Sequence, residues 1–324
     1  NAMQDAGVSP DQVDGLVMTQ ETATGSHWPA GDPIPEDFIR AFKPGVNPLD
    51  GITGLSSEWI LNNMPELKNV KFTMYGPTCM SNSLVVAAQA VGSGLTNTCL
   101  VLRSWHNLAG RYYVGDGATA DATISGPGKW TTGWGTVACY NTAMIFEQYC
   151  RKYGKNHDMM APFVVNERRN GLMFPEGFFY QHRPEPITVE DYLSARWIAK
   201  PANLYDNDLP IMTSAAYLFT TPERAKDMKQ RPVYILNHAS NRYRIRSFGP
   251  TLEEAEESTD STGRMLYEGA GIGPSDLSFE NMYDGFALFH QFHLEGLRYA
   301  GVQRGEALDF YQTDISIEGP NPAS

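Results

Sequence analysis

Apolar and polar positions along this chain alternate between two periods. Val13–Met18, Val70–Met74, Thr98–Leu102, Ile211–Thr221, Val233–Asn237 and Ser278–Met282 are short runs of strand length and strand texture. Ser56–Asn63, Met80–Val91, Pro222–Met228, Glu253–Glu268 and Ala287–Ala300 carry helical spacing. Thr98–Leu102 is apolar almost throughout, the pattern of a strand in a sheet covered on both faces. Met80–Val91 is apolar on nearly every side, which predicts an interior helix. Strands alternating with helices predict an α/β chain with stacked helix and sheet layers.

One stretch of this pattern occurs twice. Ala6-Gly7-Val8-Ser9-Pro10-Asp11-Gln12-Val13 returns 264 residues later as Ala270-Gly271-Ile272-Gly273-Pro274-Ser275-Asp276-Leu277. In each copy a Gly closes a helix, a Pro-containing turn follows, and a short apolar segment comes next. The spacing is far too long for a solenoid repeat and predicts two related halves. In register, Thr19 of the first copy corresponds to Tyr283 of the second.

Residues 105 to about 197 break the pattern. Trp105, Trp130 and Trp134 stand among many Gly, Val137–Tyr153 and Val189–Ile198 read as helices, and the aromatic content is enough for a local core. The stretch reads as an insertion. The ends read as interrupted elements: Asn1–Ala6 looks like the middle of a helix and Asn321–Ser324 stops in mid-loop, so residues are expected beyond both.

With 324 residues and 42% hydrophobic content, one large domain or two fit equally well. A net charge of −12 argues against nucleic acid or an anionic membrane as main partner, and no apolar run reaches the length of a membrane span. The four cysteines show neither CxxC pairs nor zinc spacing, which predicts a reduced, cytoplasmic protein.

In layered α/β folds chemistry gathers at the carboxyl ends of strands. Residues 75–84 and 281–293 occupy such places. Cys79 stands at a turn before a helix N-terminus, where the dipole lowers a thiol pKa; it is a candidate nucleophile or a small buried hydrophobe. Tyr283 and Asp284 follow the last predicted strand, as acid–base groups or as an aromatic cap with a structural Asp. His290 and His293 lie three apart on the next predicted helix with Glu295 nearby. No third metal ligand has matching spacing, so no metal is expected, and His290 is placed as an acid or base facing the pocket. Arg242, Arg244 and Arg246 alternate with Tyr243 and Ile245, which puts three guanidinia on one face of an extended segment, for phosphates or for solvent.

Three stretches resemble the thiolase superfamily. They are Ala87–Gly94 with Cys99–Leu102, Ile198–Asp206 with Ser214–Leu218, and Asp276–Phe286. The likeness covers most of the chain. It is closest to the branch of sterol-carrier-protein-x thiolases and lipid-transfer-like steroid side-chain aldolases. The resemblance implies a duplicated five-layered α/β/α/β/α fold with an inserted loop domain. Residues 1–106 and 198–230 form the N-terminal half, 107–197 the insertion and 231–324 the C-terminal half, whose catalytic His loop is expected to follow the Asn321-Pro322 lead-in.

The family nucleophile usually precedes the helix-ending Gly by 17 residues; Cys79 precedes Gly94 by 15. Two residues of helix rotate a side chain by about 200°, away from the site. Aldolase-like members favour Tyr-Asp-x-Phe, which stands here as Tyr283–Phe286. The first expectation is therefore a carbon–carbon lyase, cleaving a β-hydroxyacyl-CoA of steroid side-chain type by a retro-aldol reaction. The alternatives are a thiolase using Cys79 and a non-catalytic acyl-CoA-binding subunit. The resemblance further implies coenzyme A as part of the substrate with no resident cofactor, and Arg168, Arg169, Arg242 and Arg244 as candidate coenzyme A contacts. It also implies a homodimer through the N-terminal halves at the Val70–Met74 edge, and a small zinc-ribbon/OB-fold partner protein. Trp130 and Trp134 are candidates for the wall of a bulky acyl site.

Overall fold

The computed structural model describes residues 1–19, 57–76, 80–105, 138–209, 213–241 and 251–323. In chain order the regular elements are α1 (Ala2–Ala6), β1 (Gly15–Thr19), α2 (Ser57–Asn63), β2 (Phe72–Gly76), α3 (Met80–Gly92) and β3 (Thr98–Trp105). Then come α4 (Ala138–Tyr153), α5 (Ala161–Leu172), α6 (Phe178–His182), α7 (Val189–Leu193), β4 (Trp197–Ala199) and β5 (Ala202–Asn203). The last are β6 (Thr213–Thr220), α8 (Pro222–Ala225), α9 (Leu252–Ala270), α10 (Ala287–Leu297) and α11 (Ala307–Phe310). The chain forms two compact units, Asn1–Val114 with Leu209–Ile235, and Gly115–Asp208 with Leu236–Ser324.

The first unit is a four-stranded sheet in the order β2-β1-β3-β6. Strand β1 runs parallel to β2 and β3, and β6 is antiparallel to β3. The pleat sorts the apolar runs into two layers. Leu16, Met18 and Leu100 face Val8, Ile60 and Leu67, while Val17, Cys99 and Val101 face Ala87 and Val91 of α3. Both faces are thus covered, as the continuous apolar strand predicted. Helix α3 differs from expectation: Ser83, Ala87, Ala90 and Val91 are buried, a single stripe at helical spacing rather than the whole circumference.

The repeated turn folds alike in both copies. Gly7 (φ 71°) and Gly271 (φ 68°) close α1 and α9 in the left-handed conformation, where a side chain would be strained. Short 3₁₀ turns follow at Pro10–Gln12 and Pro274–Asp276, and Val13 and Leu277 leave them with matching dihedrals. The copies then part. The first enters β1, whereas neither Ser278–Met282 nor Val233–Asn237 joins a sheet among the described residues. The amide of Met282, which a ladder would use, donates instead to Glu280 Oε2 at 2.9 Å.

The second unit is built from helices around Phe146, Tyr149, Phe163, Phe292 and Tyr311, all fully buried. Helices α9 and α10 cross at Gly263 and Gly296, where a Cβ on Gly263 would lie 2.3 Å from the Gly296 carbonyl oxygen. Helix α7 ends at Leu193 rather than continuing to Ile198, because Trp197–Ala199 pairs with Ala202–Asn203 as a short hairpin. No helix among the described residues is long and apolar enough to cross a membrane.

Candidate active site

The segment after the second turn is held from beneath by a buried polar chain. His290 on α10 has no exposed surface; its ring stacks on Phe163 with centroids 4.2 Å apart. Its Nε2 lies 3.2 Å from Glu280 Oε1 and its Nδ1 2.7 Å from the Tyr311 hydroxyl. A carboxylate only accepts, so in the neutral imidazole Nε2 donates to Glu280 and Nδ1 accepts from Tyr311. Burial holds the Tyr311 hydroxyl well above its usual pKa, which keeps it a donor. Glu280 spends its other oxygen on the Met282 amide. The chain Tyr311–His290–Glu280–Met282 thus fixes the approach to Tyr283 and Asp284.

An open pocket of ≈ 190 Å³ lies at this place, lined by Glu167, Asn170, Asn281, Met282 and Asp284. Glu167 and Asn170 come from α5, one turn apart on the same face. The Glu167 side chain hydrogen-bonds Asp284, and burial followed by the Asp284 carboxylate pushes the Glu167 carboxyl well above the ordinary range. Its Oε1 is buried and unpartnered among the described residues, as is Oδ1 of Asn170. Ligand pockets for whole drug-sized molecules run to roughly 300–1,000 Å³. This one suits a few reacting atoms, not a complete acyl chain.

Tyr283 sits at the edge of this segment, 61% exposed, and is not among the pocket-lining residues. Its ring folds over Gly285: a Cβ there would lie 2.4 Å from the Tyr283 hydroxyl oxygen. The corresponding residue in the first copy, Thr19, is buried and pairs with Ser83 Oγ at 2.8 Å. The two copies therefore carry a closed polar contact in one case and an exposed Tyr-Asp pair in the other.

His290, expected to face the pocket, instead supports it from inside the core. His293 is half-buried, and burial followed by the charges of His290 and Arg304 pushes its pKa down to about 4. Glu295 is buried and accepts from Tyr149, the Ala307 amide and Arg304, which excludes it from a ligand set with these histidines. Among the described residues no three His, Cys, Asp or Glu side chains come together as a metal-binding group. Arg168 is half-buried, its guanidinium 4.0 Å from the centroid of the Phe179 ring and its Nη1 donating to the Glu185 carbonyl. Arg169 makes a double contact with Glu318 at 2.7 and 2.8 Å. Cys79, Arg242, Arg244, Arg246, Trp130 and Trp134 lie outside the described residues.

Glu167 does not stand out in the sequence, because Asn166–Asn170 reads as a solvated polar run. A helical count exposes it: Phe163, Glu167 and Asn170 share one face, so a carboxyl continues an apolar stripe.

No family model matches the chain. It is 28% identical over 98% of its length to the 17-hydroxy-3-oxo-4-pregnene-20-carboxyl-CoA lyase of Mycobacterium tuberculosis, of which it spans 75%. It is 26% identical over its whole length to the steroid side-chain-cleaving aldolase of Thermomonospora curvata, of which it spans 76%. The fold matches the solved structure of the Ltp2-ChsH2(DUF35) aldolase with a TM-score of 0.70, at 23% identity, over 99% of this chain and 75% of that one. It also matches an SCP2-thiolase-like protein of Mycobacterium smegmatis with a TM-score of 0.53, at 14% identity, over 93% and 55% of the two chains. Its relatives by sequence are thus a steroid-CoA lyase and a steroid side-chain-cleaving aldolase, and its fold is that of thiolase-like structures. Within that superfamily fold the described pocket sits where Asp276–Phe286 carries the resemblance, and α5 closes it from the other side.

Proposed function

We propose that this chain is an acyl-CoA lyase that cleaves a β-hydroxyacyl-CoA of steroid side-chain type into a ketone or aldehyde and a shorter acyl-CoA. Near-full-length likeness to two proteins named as lyase and aldolase supports the reaction class. The structural observation that carries the reading is Asp284, a carboxylate on the wall of a small polar pocket and adjacent to Tyr283. A retro-aldol cleavage needs a base for the β-hydroxyl proton and a donor for the enolate oxygen, and no covalent acyl intermediate. Asp284 and Tyr283 supply these two functions.

Coenzyme A enters as the substrate's carrier, with Arg168 and the Arg242–Arg246 stretch as its candidate contacts. The exposed edge strand β2, with Met74 49% accessible, supports a homodimer built through the first unit. The two-component make-up of the Ltp2-ChsH2(DUF35) aldolase supports a small zinc-ribbon/OB-fold partner of DUF35 type. The buried free thiols Cys99 and Cys150 fit a reducing, cytoplasmic setting.

The test incubates the chain, alone and with a DUF35-type partner, with a steroid β-hydroxyacyl-CoA, and follows both products by mass spectrometry. Cleavage that persists in Cys79→Ala near the parent rate supports the lyase. A loss of several orders of magnitude in that variant, with a requirement for free coenzyme A, establishes thiolysis instead.

A further inference from the structure

Glu167, half-buried on α5, differs from the buried Glu280 and Glu295. Glu280 gives one oxygen to His290 and one to the Met282 amide. Glu295 accepts from Tyr149, Ala307 and Arg304. Both are spent on holding the fold. Glu167 meets the Asp284 carboxyl, and its buried Oε1 has no donor among the described residues; Oδ1 of Asn170, on the same pocket, has none either. Two facing carboxylates only accept, so a proton on one of them supplies the donor this contact otherwise lacks.

The charges that face Glu167 are the carboxylates of Asp284, Glu280 and Asp206. Asp206 is itself occupied by Tyr192, His157 and the Asn203 amide. Two carboxyl groups in contact cannot both ionise at low cost. The proton therefore resides on Glu167, the less exposed of the two, which donates to Asp284.

We propose that Glu167 and Asp284 share one proton and together run the acid–base chemistry of the cleavage, Asp284 as base and Glu167 as the acid that protonates carbon. The assignment rests on the lyase reading. In the first step the Asp284 carboxylate takes the β-hydroxyl proton. The O–H electron pair becomes the new carbonyl bond, the Cα–Cβ bond breaks, and its electron pair passes into the thioester enolate. In the second step the enolate collapses and Cα takes the proton of Glu167. Asp284 then returns the proton it gained to Glu167 across their hydrogen bond. One hydroxyl proton leaves the substrate and one proton enters the acyl-CoA, so no co-reactant is consumed.

The test uses Glu167→Gln, which retains an N–H donor toward Asp284 but cannot release a proton to carbon. The parent chain is expected to show a protonated-carboxyl C=O band in infrared spectra at neutral pH, lost in Glu167→Gln and kept in Tyr283→Phe. The parent is also expected to exchange the α-hydrogen of the product acyl-CoA with solvent deuterium, without the ketone present. Glu167→Gln should lose this exchange and lower kcat by about 10²- to 10⁴-fold, with KM changed only a few-fold. An unchanged carboxyl band, or exchange at the parent rate in Glu167→Gln, overturns the proposal. A parent chain that shows the band but neither cleaves nor exchanges overturns the lyase reading, and the acid–base role with it, while the shared proton stands.

Discussion

Gly285→Ala separates positioning from stability at this site. The new Cβ would lie 2.4 Å from the Tyr283 hydroxyl oxygen, 2.6 Å from Cζ and 2.8 Å from Cε2. Restoring ordinary contact, near 3.4 Å, requires a displacement of about 1 Å. The backbone is the stiffer side of this contact. The Asp208 amide donates to the Gly285 carbonyl at 3.1 Å, and Phe286 bridges to Asn207. The Tyr283 ring is exposed, so the ring yields. The folding cost is small, within about 0.5 kcal/mol for an exposed side chain, and Gly→Ala offsets it by reducing unfolded-state entropy. A 1 Å misplacement of a catalytic group costs on the order of 10²-fold in rate. The expected result is an unchanged or slightly raised melting temperature with kcat/KM reduced about 10²-fold. The double variant Gly285→Ala/Tyr283→Phe should be no slower than Tyr283→Phe alone. If Gly285→Ala lowers the rate of the Tyr283→Phe background by the same factor, the effect does not pass through Tyr283 and the argument fails.

Two further outcomes follow from the buried network. Tyr311→Phe removes the donor to His290 Nδ1 and leaves a buried acceptor unpaired, a loss of about 1–3 kcal/mol measurable as a lower urea midpoint; an unchanged midpoint would show that the relay carries no stability. His293 has its pKa held down at about 4 against an ordinary 6.5, by burial first and then by His290 and Arg304, with Glu280 favouring its charge. The unfolded chain therefore binds the extra proton first, so stability is full above about pH 6.5 and falls as pH drops toward 4, by up to ~3 kcal/mol. His293→Gln should flatten that part of the midpoint-versus-pH curve, and a slope equal to the parent's would assign the loss to other groups.

The covered sheet was legible because its strands say so residue by residue: Leu16, Leu100 and Val17, Val101 alternate between two apolar layers as their spacing requires. The duplicated turn was legible for a similar reason, since only Gly suits the left-handed positions 7 and 271. What followed the second copy was not. Ser278–Met282 has strand texture, yet a strand exists only through its neighbours, and Glu280 claims the Met282 amide. The pocket was half legible. Asp284 announced itself by its place just past a predicted strand. Glu167 sits on a helix with no sequence link to residues 281–284, and only packing brings it there. His290 stands out for its chemistry, but its stacking between Phe163 and the Glu280 side is a product of tertiary burial that no local pattern encodes.

The Glu280 anchor has a consequence for how such a site changes over generations. A residue at a strand end is tied to its neighbours by every rung, so altering it disturbs the sheet. Here the Tyr-Asp segment is moored at the Met282 amide by the Glu280 side chain and at the Gly285 carbonyl by the Asp208 amide. Asn281, which lines the pocket between these ties, is then free to vary in size and polarity while they hold. Evolution of a new substrate preference at this segment does not have to renegotiate the fold.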